Sequence, residues 1–206
     1  MSGAAATAAP RGLLARVAAA WGGFRASTAR EAAEGHGEPR LLAYAIGGCF
    51  VLWLARAPEV LAADLARAAA TGTAATPPAM LLTTHLVSML FFTPLMLYGV
   101  AALMRMILRA FGGTGGWRET RLAVFWSLVV AAPAFLVAGA AGSLLRLGGA
   151  PEAAPAAMTA AGLIWLWFWS AGLAEVHGFR RGWPIFAVVA GLAAALEFAP
   201  TGVMSG

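Results

Sequence analysis

The chain has 206 residues, of which 61% are hydrophobic and only 11% are charged. A soluble domain normally carries about 25% charged residues. This shortage of charge and a mean hydropathy of +0.78 exclude an ordinary soluble domain and predict an integral membrane protein. The net charge of +5 comes from arginine alone, since the sequence contains no lysine. The arginines lie at the ends of apolar runs, a distribution that favours membrane topology over nucleic-acid binding.

Residues 1–40 are predicted to be a cytoplasmic N-terminal tail, mobile over its first ten residues. Leu14, Val17, Trp21 and Phe24 recur in it at helical spacing, and arginines lie away from that stripe. This pattern predicts an amphipathic helix in the membrane interface, anchored by Trp21 and attracted to anionic lipid. The adjacent glycines at 22 and 23 weaken such a helix, so a disordered tail is the alternative interpretation.

Five apolar stretches are predicted to cross the membrane, which gives an all-α, polytopic helix bundle. A crossing helix needs about 20 apolar residues. The predicted spans cover residues 41–60, 79–104, 118–145, 153–175 and 183–199, with a C-terminal tail at 200–206. The fifth stretch is short and contains Glu197, so it is either a thin span or a re-entrant piece. Residues 57–78 are expected to form a loop, and Pro94 and Pro133 are expected to kink the second and third spans.

The arginines predict the orientation of the bundle. Eleven of the fourteen lie in the N-terminal tail, the loop after the second span and the loop after the fourth. The positive-inside rule places these three segments in the cytoplasm of a cell with a bacterial inner membrane. The N-terminus is then cytoplasmic, and the C-terminus is periplasmic if the fifth stretch crosses. Trp117 and Trp183 fall at predicted cytoplasmic boundaries, where tryptophan side chains anchor helices.

A loop of glycine and arginine joins the second and third predicted spans. Residues 112–116 read Gly-Gly-Thr-Gly-Gly and lack the lysine of a nucleotide-binding P-loop. Their simplest role is a tight turn between antiparallel helices. The four flanking arginines either hold the phosphate of a lipid headgroup or serve only to anchor the topology; they are Arg105, Arg109, Arg118 and Arg121.

Few residues could carry chemistry. His85 is the one histidine inside a clear predicted span, and we expect a hydrogen-bonded structural role for it over a proton relay or metal ligand. His177 and Glu175 are expected to pair with Arg180 or Arg181 at the surface. No ligand spacing for a metal and no nucleophile–base–acid set is visible, so we expect neither an enzyme nor a bound cofactor or metal.

Several segments between Glu38 and Phe179 resemble the bacterial branch of the Yip (Ypt-interacting-protein) family, and its alphaproteobacterial members in particular. They are Arg40-Leu-Leu-Ala-Tyr44, Phe92-Thr-Pro94, Arg109-Ala-Phe-Gly-Gly-Thr-Gly-Gly-Trp117, Arg121-Leu-Ala-Val-Phe-Trp126 and Leu166-Trp-Phe-Trp-Ser-Ala-Gly-Leu173. The resemblance implies a bundle of about five spans with a cytoplasmic N-terminus and no catalytic residues. Eukaryotic relatives bind small GTPases and shape transport membranes, but that partner is not carried over.

The sequence therefore predicts a non-enzymatic inner-membrane protein that acts through protein and lipid contacts. An accessory or assembly subunit of a larger membrane complex fits this description. A small transporter or channel is the first alternative, and it requires polar residues that converge at mid-membrane. A membrane-shaping protein, acting through residues 11–30, is the second.

Overall fold

The structure is a computed structural model that describes residues 12–197, with side chains as far as residue 191. The tails predicted at residues 1–10 and 200–206 lie outside the described residues. The helices are α1 (Leu13–Gly22), α2 (Phe24–Ala33), α3 (Glu38–Thr71), α4 (Pro78–Val87), a π-helical segment (Ser88–Phe92), α5 (Thr93–Ala110), α6 (Trp117–Leu147), a 3-10 turn (Pro151–Ala153), α7 (Ala154–Val176) and α8 (Trp183–Glu197). The described residues contain no strand, which confirms the predicted all-α fold.

Four helical segments are long and apolar enough to cross a membrane, and they confirm a multi-pass helix bundle. They are Glu38–Thr71, Pro78–Ala110, Trp117–Leu147 and Pro151–Val176. Helix α8 has 15 residues, which corresponds to about 22 Å of helix. A bilayer core is about 30 Å thick. The crossing of the fifth stretch, and with it the side on which the chain ends, stays a prediction.

Helix α3 corrects one predicted boundary. Residues 57–71 were expected in a loop, but they continue the helix past Pro58 to Thr71. The reason is the alanine-rich composition of residues 61–70, because alanine has the highest helix propensity. The helix ends where Gly72 adopts a left-handed conformation with φ of 66° and its N–H bonds to the carbonyl of Ala68.

The π-helical segment explains how the second span accommodates Pro94. Proline has no N–H to donate and its ring clashes with the carbonyl four residues earlier. In this span the residues directly before Pro94 switch to wider turns, and the N–H of Thr93 bonds to the carbonyl of Ser88. A π-helical segment at Ser88–Phe92, of the kind often found at functional positions, thus precedes Pro94, and the kink expected at this proline stays a prediction.

Helix α6 lies at the centre of the bundle. In the most apolar stretch of 18 residues in α6, 72% of the residues are buried, whereas the corresponding stretch of α3 has 33% of its residues buried. One glycine on α3 and one on α6 allow these two helices to pack closely. A Cβ atom at Gly48 would lie 2.7 Å from Leu128, and one at Gly139 would collide with the backbone carbonyl of Ala55. Small residues that let helix backbones approach are the usual basis of packing inside membranes.

Substitution of Gly139 by alanine is expected to destabilise the bundle by about 1–3 kcal/mol, because the added methyl group forces α3 and α6 apart. Thermal unfolding of the purified protein in detergent measures this. Gly47→Ala is the matched control, since a Cβ at that position meets no atom within 4 Å. Equal unfolding temperatures for the two variants would show that the α3–α6 contact is not tight.

Candidate functional site

The segment predicted as a tail forms two helices that fold back on each other and dock on the bundle. We call residues 13–33, α1 and α2 joined at Gly23, the N-terminal hairpin. Phe24 packs against Phe168 of α7 with ring centroids 4.9 Å apart. The indole of Trp21 donates a hydrogen bond of 2.9 Å to the carbonyl of Val130 in α6. Val130 is about 20 Å along α6 from Trp117, so Trp21 does not lie at the end of the bundle, where an interfacial anchor was expected.

A buried carboxylate holds the hairpin together. The Glu31 side chain is 3% exposed and lies 3.0 Å from the guanidinium of Arg16. The Tyr44 hydroxyl donates to Glu31 over 3.0 Å, and the His36 ring lies at the same distance. Arg16 in turn donates to the Tyr44 oxygen over 2.6 Å. Residues from both hairpin helices and from α3 therefore meet at one acid, which we call the Glu31 network.

The Glu31 network was not recognised in the sequence. Glu31, Glu34 and His36 each offer an atom that could ligate a metal, and these atoms lie within 4.8 Å of one another. The Glu-x-x-Glu-x-His spacing is the sequence signal that could have found them. Since Arg16 already lies within salt-bridge distance of both acids, an ion-pair network accounts for the cluster without a metal.

A second ionic contact attaches the hairpin to the end of α7. The guanidinium of Arg25 donates a hydrogen bond of 2.8 Å to the Glu175 carboxylate. It also donates to the backbone carbonyls of Phe179 and Arg180 over 2.9 and 2.8 Å. Glu175 was expected to pair with Arg180 or Arg181. Arg25 takes that place because a single guanidinium can serve the carboxylate and both carbonyls that follow α7.

Replacement of Glu31 by glutamine is expected to cost about 3–5 kcal/mol of stability, because it removes the charge of the buried acid and leaves the half-buried Arg16 without its closest counter-charge. Thermal unfolding and limited proteolysis of residues 12–37 measure the loss. Glu34→Gln is the control, since its side chain is 48% exposed and an exposed pair contributes less than about 1 kcal/mol. Similar losses in both variants would contradict a special role for the buried acid.

The glycine loop does not form a phosphate cradle; it wraps around His177. The N–H of Gly115 donates to Nδ1 of His177 over 3.2 Å, and the N–H of Thr114 donates to the His177 carbonyl. A Cβ atom at Gly113 would lie 2.7 Å from the histidine ring, and one at Gly115 equally close to the carbonyl of Val176. The loop is glycine-rich because side chains there would keep it from reaching α7. We call this contact the His177 latch.

The hydrogen bonds of the His177 latch require a neutral ring. Since Nδ1 accepts from Gly115, the proton lies on Nε2, which donates to the Thr120 hydroxyl over 3.0 Å. That hydroxyl donates to the carbonyl of Gly116. Burial of the ring and the nearby charge of Arg105 lower the pKa of His177 below its ordinary value. Thr120 and His177 are both buried, so the pair supports the loop and is closed to a substrate.

The latch predicts a pH dependence of stability. Because the folded state holds the pKa of His177 below the value of about 6.5 of an unfolded histidine, the unfolded state binds the proton first. Stability is therefore complete above about pH 6.5 and falls as the pH drops below it. Thermal unfolding at pH 7.5 and 5.5 should show this fall, and His177→Gln, which keeps a donor and an acceptor, should show less of it. Identical pH profiles would rule out the latch as the cause.

The four arginines around the glycine loop do not form one cluster. Arg121 pairs with Glu38 of α3. Arg118 contacts Glu119 at 3.0 Å and donates to the carbonyl of Ala32 in the hairpin. Arg105 lies over the ring of Trp117, 4.4 Å from its centroid. Arg109 is exposed and, within the described part of the chain, has no carboxylate within 4 Å. Two of the four proposed headgroup ligands are thus engaged in ion pairs.

The two other predicted anchors lie at helix ends. Trp117 begins α6 and is 50% exposed, and Trp183 begins α8 and is 57% exposed. Trp117 directly follows the glycine loop and Trp183 follows Arg180 and Arg181, so both lie next in sequence to the arginines of this side of the bundle. This is where amphipathic indole rings meet the membrane–water interface.

Toward the opposite end of the bundle, several buried polar atoms of the described residues lack a hydrogen-bond partner. The Nε2 atom of His85 is buried and has no hydrogen-bond partner among the described residues, and neither do the indole N–H of Trp53 and the Nε of Arg56. The hydrogen-bonded role expected for His85 is therefore not seen. Arg56 and Glu59 form an i,i+3 contact of 3.5 Å nearby on α3.

Comparison with known proteins identifies no relative, since no family model, no curated protein and no solved structure matches the chain.

Proposed function

We propose that this chain is a non-enzymatic, multi-pass protein of a bacterial inner membrane that serves as an accessory or assembly subunit of a larger membrane complex. The contact with the partner is made by one face of the second span. We call it the α4–α5 face, and it carries large exposed side chains: Met80, Val87, Phe91, Phe92, Leu95 and Met96.

The observation that carries this proposal is how little of the second span the bundle covers. Only 17% of its most apolar window is buried, against 72% for α6. Phe91 and Phe92 are 67% and 57% exposed and lie in the π-helical segment. Aromatic and methionine side chains are enriched where proteins bind each other. Wider π-helical turns are costly and often occur at functional positions.

The packing of α6 is the reason to prefer a docking role over the transporter or channel alternative. A transporter places polar or ionisable groups at mid-membrane, beside a cavity. In the middle of α6 the buried polar side chain is Ser127, which donates to the carbonyl of Val124 and accepts from the indole of Trp165. Both of its hydrogen-bonding functions are used inside the bundle.

The family resemblance remains part of the proposal. The glycine loop that marks the likeness to bacterial Yip proteins has a structural role in the His177 latch, which would favour its retention among relatives. With a cytoplasmic N-terminus, as the arginine distribution predicts, the latch and the Glu31 network would lie at the cytoplasmic end of the bundle, and the turn of the hairpin would reach toward its middle.

Site-specific photo-crosslinking in cells tests the docking role. A crosslinker at Leu95, which is 65% exposed, is expected to give a discrete protein adduct that mass spectrometry can identify. The matched control is Leu144 of α6, which is 68% exposed outside the α4–α5 face and should react with lipid alone.

Two results would count against the proposal. Equal adduct patterns at Leu95 and Leu144 would show that the α4–α5 face contacts lipid like the rest of the surface. Recovery of the protein from gently solubilised membranes as an isolated monomer would exclude a stable subunit.

A further inference from the structure

An apolar groove separates the end of α5 from the start of α8. Among the described residues no Cα atom of α5 lies within 8 Å of one in α8; α5 packs on α6, and α8 packs on α7. The groove between them has a volume of about 280 Å³. Leu108 and Val189 form its buried floor, while Phe111 and Val188 stand at its exposed rim, at 76% and 67% exposure. We call it the α5–α8 groove.

The end of this groove carries unpaired positive charge. Arg181 is exposed and contributes to the groove wall. Arg180 precedes it in the chain, and Arg109 lies on the same turn of α5 as the groove residue Leu108. Over the described residues, none of these three guanidinium groups has a carboxylate within 4 Å, whereas Arg16, Arg25, Arg118 and Arg121 all have one. The groove therefore combines an apolar channel with a cationic mouth.

We propose that the α5–α8 groove binds one anionic glycerophospholipid. An acyl chain lies along the groove, and the phosphate meets Arg181 with Arg109 and Arg180 beside it. Basic pockets between helices at the cytoplasmic surface are suited to anionic headgroups, and guanidinium groups match phosphate oxygens geometrically. This site differs from the loop arginines proposed from the sequence, since it uses Arg109 but neither Arg118 nor Arg121.

The dimensions favour a lipid chain over a protein helix as the occupant. The α5 wall runs from Met104 to Phe111, which is about 10 Å of helix. A helix with its side chains is about 10 Å in diameter, so a 10 Å length of it fills roughly 800 Å³, nearly three times the volume of the groove. A single acyl chain is narrow and flexible enough to follow the floor. The inference goes beyond the docking role of the α4–α5 face, and either can hold without the other.

Native mass spectrometry of the purified protein tests the site. The probes are phosphatidylglycerol and phosphatidylcholine with the same acyl chains, added to the protein in detergent. We expect the anionic lipid to bind about tenfold more tightly, and Arg109→Gln with Arg181→Gln to remove that preference, because the preference rests on the attraction of guanidinium groups to the phosphate. Arg30→Gln is the control, since Arg30 is also exposed and unpaired within the described chain but lies on the N-terminal hairpin.

A second variant tests the acyl-chain contact independently of charge. Val188→Trp fills the rim of the groove and should weaken both lipids alike by several fold, while Val137→Trp, at a similarly exposed valine on α6, should not. The unfolding temperature of each variant confirms that it is folded. The site is excluded if the arginine double variant retains the lipid as well as Arg30→Gln does, or if Val188→Trp and Val137→Trp bind equally.

Discussion

The bundle depends on close contact with α6, because a membrane offers helices little hydrophobic gain for leaving lipid. Association there comes from backbone proximity and from polar contacts. Helix α6 supplies both. Gly48 and Gly139 bring α3 against it, while the indoles of Trp21 and Trp165 donate to Val130 and Ser127. The hairpin, α3, α5 and α7 all pack on this one helix.

Two polar contacts at the arginine-rich end of the bundle determine how the surrounding helices are held around α6. The Glu31 network ties both hairpin helices to Tyr44 of α3, and the His177 latch ties the α5–α6 loop to the end of α7. Breaking either contact is costly, because it leaves a buried polar or charged group without its partner. Both contacts therefore favour the arrangement of helices that completes them. The charged and polar side chains of these two contacts thus hold helices in place, whereas the surfaces proposed for recognition, the α4–α5 face and the α5–α8 groove, lie elsewhere on the bundle.

The sequence predicted the apolar spans well because hydropathy is a local property. The third and fourth predicted spans, 118–145 and 153–175, lie inside the observed Trp117–Leu147 and Pro151–Val176. The N-terminal hairpin was missed because its partners are remote: Arg25 meets Glu175, 150 residues away. The arginines of the glycine loop appeared to form a group by spacing, but Arg121 pairs with Glu38, 83 residues earlier. Residues so far apart in the chain cannot be paired by inspecting short stretches of the sequence.

Residues 13–33 form a folded part of the bundle, held on α6 and α7, and not a tail. Hydrogen–deuterium exchange of the intact protein in lipid nanodiscs measures this most directly. The hydrogen-bonded backbone amides of α2 are expected to exchange as slowly as those in the middle turns of α6, since both helices belong to one packed unit. Complete exchange of residues 13–33 at the earliest time point, with α6 still protected, would contradict it.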